Sequence, residues 1–243
     1  MPCPVCHDPA RAHVISHKGM ELFRCASCST VYMDPMPSYE RRAEIYADPY
    51  EGATIGYYAK AEKKIKRARR RARMLDRHVR EKGAFLDIGC SGGFTTEAMR
   101  ELGYKCDGLD PDAPGIAYAK KNFPQNTYFH GFLEDVAPKL GTYDAIHCSE
   151  VIEHIPDPRG FTRTLAKLLK LGGVANVTTP DITHWRRPRD LTKWDAFTPP
   201  AHCLFFTPYS LRILFAAHGL EIFKQRFDWK PGIQVYARKT YAA

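Results

Sequence analysis

The sequence predicts an α/β fold with a parallel sheet, preceded by a small cysteine-rich segment. From Ala84 onward, short apolar runs alternate with helical stretches, which is the pattern of βαβ units. The first 28 residues contain two Cys-x2-Cys pairs, a spacing typical of a metal-binding ribbon. The chain has 243 residues, 44% of them hydrophobic, and no apolar run near the ~20 residues that a membrane span requires. We therefore expect neither a membrane protein nor a disordered chain.

Changes in composition divide the chain into a ribbon at 1–35, a linker with a basic helix at 36–82, and an α/β domain at 83–243. Prolines at 35 and 37 mark the first boundary. Residues 181–206 are too long for an ordinary connection, so we expect them to cover a site and contact the acceptor. Strands are predicted near 84–88, 105–109, 127–130, 143–148, 173–178, 220–227 and 232–237, and helices at 94–102, 158–171 and from Pro208 to Gly219.

The net charge of +9 is concentrated in residues 59–82, which contain twelve Lys or Arg and three acids. Apolar residues recur there every three or four positions, so this segment is predicted to be an amphipathic helix. The rest of the chain is close to neutral, which argues against a broad surface for nucleic acid. The first residues show no basic segment followed by an apolar one, so we expect a cytoplasmic protein.

The two cysteine pairs predict a structural zinc site. Each pair presents two sulfurs from a tight turn, and four thiolates complete a tetrahedron around zinc. Such a site leaves no position for water or substrate, so the metal would support folding; reduced cysteines without metal are the alternative. The predicted ligands are Cys3, Cys6, Cys25 and Cys28. The remaining cysteines, Cys90, Cys106, Cys148 and Cys203, are predicted to be core or pocket residues.

A glycine-rich turn follows the first strand of the α/β domain, between Asp87 and Gly93. Small residues at this point let the backbone approach a ligand closely, although a plain tight turn would have the same composition. Asp110 ends the next strand, where a carboxylate can accept both hydroxyls of a ribose. A nicotinamide dehydrogenase would require Gly-x-Gly-x-x-Gly, which the turn lacks.

At these residues the sequence resembles the class I S-adenosylmethionine-dependent methyltransferases, whose first motif Asp-x-Gly-x-x-x-Gly matches Asp87 to Gly93. The resemblance extends from about 84 to 238. It implies a Rossmann-like, doubly wound, seven-stranded sheet with a reversed last strand, and S-adenosylmethionine as cofactor. Ser91 stands where the family most often has glycine. The cofactor-binding residues implied are Asp87, Gly89, Cys90, Ser91 and Gly93 in the turn, Asp110 at the ribose, Leu133, Glu134 and Asp135 near the adenine, and Ser149 at the same edge.

Four further residues are predicted to form a catalytic group on the acceptor side: Glu150, Glu153, His154 and His202. If a helical turn begins at Ser149, the first three face one way. Glu-x-x-Glu-His resembles the acceptor segment of ubiquinone-pathway O-methyltransferases and small-RNA 2′-O-methyltransferases, and His202 has a counterpart there. The group would bind Mg²⁺, Mn²⁺ or Zn²⁺, or would act as a base at His154 held by carboxylates. The alternative is a purely structural role, in which the carboxylates lie at a helix start and the histidine is hydrogen-bonded.

The combination of the ribbon, the basic linker and the Pro-x-x-His-x-x-Phe-Phe segment that contains His202 looks most like bacterial methyltransferases of saccharide or secondary-metabolite clusters. We therefore predict O-methylation of a small molecule such as a sugar, a sugar nucleotide or another secondary-metabolite hydroxyl. Five aromatic residues of the long segment, Trp185, Trp194, Phe197, Phe205 and Phe206, are expected to stack on the acceptor or else to pack a lid, and Arg186, Arg187 and Arg189 suit its phosphate or carboxylate.

Two other functions are compatible with the sequence. An RNA methyltransferase would use the ribbon and the basic helix to hold the phosphate backbone. A non-catalytic scaffold would retain the fold alone, but the intact Asp87, Gly89, Gly93 and Asp110 argue against it.

Overall fold

The computed structural model describes residues 1–47 and 60–241, which form a four-stranded sheet and a seven-stranded sheet joined by helices. Residues 48–59, inside the predicted linker, lie outside the described residues. The strands are β1 (Arg11–His17), β2 (Met20–Cys25), β3 (Val31–Met33), β4 (Ala84–Ile88), β5 (Lys105–Asp110), β6 (Thr127–His130), β7 (Tyr143–Ser149), β8 (Leu169–Pro180), β9 (Leu204–Phe205), β10 (Leu220–Arg226) and β11 (Gly232–Lys239). The α-helices are α1 (Tyr39–Ala47), α2 (Ala61–Asp76), α3 (Phe94–Arg100), α4 (Ala113–Asn122), α5 (Leu133–Val136), α6 (Pro158–Leu168) and α7 (Pro208–Ala216).

The seven-stranded sheet has the order β10-β11-β8-β7-β4-β5-β6. Strands β4 to β8 pair in parallel, whereas β11 is antiparallel to both β8 and β10. This is the seven-stranded arrangement with a reversed last strand that the resemblance implies, so the predicted fold class is confirmed. The carboxyl ends of β4, β5 and β7 meet at one edge, where open α/β sheets bind their ligands.

One predicted boundary, between α6 and β8, is wrong. The sequence predicts that the helix continues to residue 171 and that the strand begins at 173, yet the strand begins at Leu169. Leu169 is fully buried and pairs with Tyr143, and the register then shifts so that Val174 pairs with Ala145. Gly172, at φ +78°, lies within this bulge. Burial of the leucine therefore outweighs the stop signal that the glycine gives.

The cysteine-rich segment forms three antiparallel strands, and its sheet is completed by a strand from far along the chain. Val31 and Tyr32 of β3 pair with Phe205 and Leu204 of β9. Strand β9 belongs to the 181–206 segment of the α/β domain. Residues 1–35 therefore do not close the ribbon sheet alone.

Buried side chains on the two faces of the large sheet form separate cores. On one face, ribbon residues such as Val5 and Tyr32 join Ile146 and Val177 of the sheet in one cluster. On the other face, Ala68, Ala72 and Leu75 of α2 pack with Phe85 and Met99. The predicted basic amphipathic helix is thus present, and its apolar stripe packs against α3 and β4.

Candidate functional site

The glycine turn after β4 needs glycine at two positions. Gly89 has a φ of +77°, and a Cβ atom there would lie 2.4 Å from Val151 Cγ2. Gly93 has a φ of +75°, and a Cβ atom would lie 2.6 Å from the hydroxyl of Tyr128 and 2.9 Å from Ala119 Cβ. These close approaches bring α4, β6 and the chain after β7 against the turn. The turn therefore has both the backbone conformation and the crowding that the motif predicts.

Ser91, the departure from the commonest motif, has a φ of +46°. This left-handed conformation explains why glycine is most frequent at the position. The Ser91 N–H donates to Oδ2 of Asp110 at 2.7 Å, and the Asp112 N–H donates to Oδ1 at 2.8 Å. Both oxygens of Asp110 are thereby oriented, and lone pairs remain for two further donors such as ribose hydroxyls.

Asp87 and Asp110 are both buried at the ends of neighbouring strands. Burial raises the pKa of Asp87 to about 7, against the opposing hydrogen bond from Thr96. Burial also raises the pKa of Asp110 to about 6, against the two backbone N–H donors. Ligand donors or a cationic ligand would favour the ionised forms of both carboxyls.

A cavity of about 530 Å³ opens at this edge of the sheet. This volume lies within the range of cofactor and small-molecule sites. Of the predicted residues, those lining it are Asp87, Gly89, Cys90, Ser91, Asp110, Leu133, Ser149, Glu150 and His154, whereas Gly93, Glu134, Asp135, Glu153 and His202 do not line it. Glu134 instead accepts from Arg42 at 2.7 Å and Asp135 from Tyr39 at 2.7 Å, so these two carboxylates hold α1 against the domain.

The acceptor segment has a different local structure from the one predicted. Glu150 has a φ of +56°, and only Ile152–His154 form a short 3₁₀ turn, so no α-helical turn begins at Ser149. Glu150 Oε1 accepts from the hydroxyl of Thr178 at 3.0 Å, and Glu153 Oε2 accepts from that of Thr179 at 2.9 Å. The two carboxylates therefore meet neighbouring threonines of β8.

Glu153, His154 and His202 form a compact group of potential metal ligands. One ligand atom from each lies within 4.8 Å of the others, and the imidazole centroids are 4.5 Å apart. Nδ1–H of His154 donates to the Ala201 carbonyl at 2.9 Å, and Nδ1–H of His202 donates to the Ala196 carbonyl at 2.7 Å. In these tautomers each neutral ring carries its lone pair on Nε2. Glu150 is not a member of this group.

The charge states of this group follow from burial. Burial and then the neighbouring His202 lower the pKa of His154 to about 3, and burial lowers that of His202. Burial and then the charge of Glu150 raise the pKa of Glu153 above its usual range. Oε1 of Glu153 is buried and has no hydrogen-bond partner among the described residues. The group thus consists of two neutral imidazoles and a buried carboxyl group of which only one oxygen is hydrogen-bonded.

Four of the five aromatic residues expected at the acceptor are buried in the core. Trp194 and Phe197 are 7% exposed, and Phe205 and Phe206 are fully buried. Phe197 and Phe205 stack on each other with centroids 5.5 Å apart. The expectation that these four stack on a substrate is therefore wrong, since they fill the space between the ribbon and the sheet. Trp185 alone of the five is exposed, at 69%.

The four ribbon sulfurs lie close to one another, all within 4.8 Å. Cys3 Sγ is 3.5 Å from Cys28 Sγ, and Cys6 Sγ is 3.5 Å from Cys25 Sγ. A tetrahedron with Zn–S bonds of 2.3 Å has S–S edges of about 3.8 Å, so the cluster fits zinc. The other four cysteines are buried, as predicted, and Cys90 lines the cavity.

Sequence reasoning missed the cations that line the cavity: Arg42, Lys64, Arg67 and Arg71. The spacing of the last three, at i, i+3 and i+7, places them on one helical face, but eight cations lie between 63 and 73, so spacing alone does not single them out. Arg42 carries no sequence signal, because its position depends on how α1 packs on residues ninety positions later.

Comparisons with known proteins identify the family. A family profile described as "Methyltransferase domain" matches residues 57–225, more than half of the chain. The chain belongs to this family. Among curated methyltransferases, the ubiquinone biosynthesis O-methyltransferase of Vibrio parahaemolyticus is 38% identical over 93 residues, which are 36% of this chain and 40% of that protein. The alignment thus spans about two fifths of the length of this curated relative.

Solved methyltransferases have the same fold. The 1,6-didemethyltoxoflavin-N1-methyltransferase of Burkholderia thailandensis, solved with 1,6-didemethyltoxoflavin and S-adenosylhomocysteine, superimposes with a TM-score of 0.61 over 94% of this chain and 99% of that one, at 14% identity. A TehB-like methyltransferase of Corynebacterium glutamicum gives 0.58 over 78% and 100%, at 16% identity. The predicted class, an S-adenosylmethionine-dependent methyltransferase, is confirmed by the family. The described residues include no helix that is long and apolar enough to cross a membrane.

Proposed function

We propose that the protein transfers the methyl group of S-adenosylmethionine to a hydroxyl oxygen of a small-molecule acceptor. The observation that carries this proposal is one cavity in which the cofactor motif, Gly89 and Asp110, meets the acceptor-side residues Glu150 and His154. The alignment with ubiquinone O-methyltransferases supports oxygen as the accepting atom. Methyl transfer requires the nucleophile about 3 Å from the methyl and in line with it, so positioning supplies most of the acceleration.

The residues around the cavity fit the parts of this cofactor. Asp110 would accept the ribose hydroxyls, and Phe132 and Leu133 would cover the adenine. Arg71 would pair with the methionine carboxylate. Its side chain lines the cavity together with Asp87 of β4 and His147 of β7.

The donor set of Glu153, His154 and His202 favours a divalent cation over a protein base. A histidine whose pKa is about 3 is a poor proton acceptor at neutral pH, whereas neutral imidazole is the form that binds metals. The unpartnered Oε1 of Glu153 would supply a third ligand. A bound Mg²⁺, Mn²⁺ or Zn²⁺ would lower the pKa of the acceptor hydroxyl. Glu150, which faces the cavity, would orient that hydroxyl.

We assign structural zinc to the ribbon cluster. The sulfur separations fit a four-thiolate site, and all four positions around the ion would be taken by protein. This zinc therefore takes no part in methyl transfer. It ties the turn before β1 to the turn between β2 and β3, and through β3 it supports the strand β9.

Calorimetry with S-adenosylhomocysteine tests the cofactor part of the proposal. We expect the wild-type protein to bind it, and Asp110→Ala to weaken binding by about ten- to a hundredfold because hydrogen bonds to a buried carboxylate are lost. A nicotinamide dinucleotide serves as the control ligand. Heat from the dinucleotide with none from S-adenosylhomocysteine would contradict the proposal.

Titration of Mn²⁺, followed by electron paramagnetic resonance on zinc-loaded protein, tests the acceptor-side metal. We expect one bound Mn²⁺, lost in Glu153→Gln and His202→Ala and retained in His184→Ala, a histidine of the same segment outside the group. The same two variants should reduce methyl transfer to a panel of sugars and sugar nucleotides by ~10² or more, with unchanged S-adenosylhomocysteine affinity. Absence of Mn²⁺ binding, with activity indifferent to chelator, would reject the metal and leave His154 as base.

A further inference from the structure

One wall of the cavity is cationic. Lys64, Arg67 and Arg71 of α2 line it together with Arg42 of α1. Of the acids that line it, Asp87 and Asp110 lie at the carboxyl ends of β4 and β5, and Glu150 directly follows β7. The cavity thus separates an acidic edge, which carries the cofactor motif, from a basic wall contributed by the N-terminal helices.

The packing of α2 determines which of its cations belong to this wall. The apolar stripe Ala68, Ala72 and Leu75 is buried in the core, which fixes the rotation of the helix about its axis. Lys64, Arg67 and Arg71 lie on the face adjacent to that stripe, over about 10 Å of helix. The cationic wall is therefore longer than one carboxylate requires.

Arg42 is the buried member of the wall. It is 7% exposed, and its guanidinium lies 4.3 Å from the centroid of Phe132. Its Nη1 donates to Glu134, whose side chain is 42% exposed, while Nε is buried and has no hydrogen-bond partner among the described residues. An arginine desolvated to this extent normally has its donors satisfied. The unpartnered Nε belongs to a side chain that lines the cavity, so the guanidinium is not fully compensated by the described residues.

The cofactor does not account for these charges. S-adenosylmethionine has one carboxylate, for which Arg71 suffices, and its ammonium and sulfonium groups give it a net positive charge. Arg42 lines the same cavity as the acceptor-side residues Glu150 and His154. The basic wall beyond Arg71 therefore faces the space that the acceptor occupies.

We propose that the acceptor is an anion, carrying a phosphate or carboxylate that Arg42 and Arg67 bind, with Lys64 beside them. Guanidinium groups bind both oxyanions through paired N–H donors. The proposal rests on the function proposed above and specifies its substrate class. Because all four cations line one cavity and Arg42 is only 7% exposed, a small anionic molecule fits better than a nucleic-acid backbone. In this proposal the cations of the cavity wall bind the anion, in place of Arg186, Arg187 and Arg189, which the sequence had suggested for that role.

The test measures binding of inorganic pyrophosphate and of malonate to protein saturated with S-adenosylhomocysteine, by calorimetry at low salt. We expect at least one of these anions to bind, and Arg42→Gln and Arg67→Gln each to weaken its binding about tenfold. The matched controls are Arg41→Gln, the exposed neighbour of Arg42 on α1, and Arg70→Gln, an exposed cation of α2 that does not line the cavity. Each control should change affinity less than twofold.

The outcomes separate the two proposals. Failure of the wild type to bind S-adenosylhomocysteine would overturn the proposed function. Normal cofactor binding with no heat from either anion, or equal losses in the variants and their controls, would overturn the anionic acceptor alone. Binding of pyrophosphate but not malonate indicates a phosphorylated acceptor, and the reverse indicates a carboxylate. If Arg42→Gln fails to fold, Arg67→Gln against Arg70→Gln decides the question.

Discussion

The carboxyl group of Asp110 is held in one orientation, and burial disfavours its ionised form. Two backbone N–H groups fix its oxygens, yet burial raises its pKa to about 6. A ligand that donates two hydroxyls to the carboxylate must therefore bind the ionised form and displace the proton. Cofactor affinity at this site is thus linked to pH in a range where S-adenosylhomocysteine itself does not titrate.

The affinity for S-adenosylhomocysteine should fall as pH decreases below 6. Since the free protein increasingly protonates Asp110 there, the dissociation constant should rise by up to about tenfold per pH unit. Asp110→Asn should bind more weakly and show a flatter profile. Calorimetry between pH 5 and 8 measures both. A wild-type profile as flat as that of Asp110→Asn would show that this carboxyl does not control binding.

Gly93→Ala should destabilise the fold more than Gly103→Ala. Both residues have positive φ, so each alanine incurs about 1–2 kcal/mol of backbone strain. A Cβ atom at 93 would also press on Tyr128 and Ala119, whereas one at 103 meets no atom within 4 Å among the described residues. The difference, about 1–3 kcal/mol, is the cost of overpacking. Urea unfolding measures it, and equal losses would contradict this account.

At the scale of elements, the cofactor half of the site was predictable and the basic wall was not. Asp87 and Asp110 lie at the carboxyl ends of their strands, so the local alternation of strand and helix already places them at one edge. Arg42 reaches the cavity only through packing on Phe132 and Glu134. Short-range patterns do not encode such contacts. The same limit explains the buried aromatic residues, whose partner, the ribbon, precedes them by some 170 positions.

The ribbon is linked to the acceptor segment through a short run of backbone hydrogen bonds. The Met33 N–H donates to the Cys203 carbonyl at 3.0 Å, and the Cys203 N–H donates to the Glu153 carbonyl at 3.0 Å. His202 immediately precedes this junction. The ribbon therefore supports the group of Glu153, His154 and His202 from behind, although its sulfurs take no part in the chemistry.

Loss of the ribbon metal should reduce turnover while leaving cofactor affinity nearly unchanged. Cys25→Ser should release zinc and loosen β3 and β9, which displaces His202. We expect kcat to fall about tenfold or more, because small displacements of catalytic groups have large effects. Ser27→Ala, in the same turn but outside the sulfur cluster, is the control. Elemental analysis, calorimetry and methyl-transfer kinetics measure the three quantities; a zinc-free variant with full activity would contradict the linkage.

On the scale of the whole molecule, the ribbon and the large sheet share one apolar core. Side chains of β3 and β9 continue into those of β7, β8 and α7 without a polar layer between them. Leu204 is fully buried where the two sheets meet. The shared core predicts that the ribbon and the α/β domain unfold together.

Leu204→Ala should therefore destabilise both parts at once. We expect a loss of about 2–5 kcal/mol, as for other buried leucines, and a single transition in which zinc release and loss of helical circular dichroism coincide. Leu171→Ala, a leucine that is 69% exposed, is the control and should change stability by less than about 0.5 kcal/mol. Zinc release well before the loss of helix would show that the ribbon is an independent unit.

The late position of β9 also affects how the chain is made. Thr207, just after β9, hydrogen-bonds to Cys28 across 179 residues of sequence. At ~5–20 residues per second, synthesis of that interval takes roughly 10–35 s. During this interval Val31 and Tyr32 of the nascent ribbon lack their partner strand β9, although both residues are fully buried in the finished fold. A ribosome that stalls before Leu204 would thus release a chain with an open sheet edge and an exposed apolar face, the kind of species that chaperones bind.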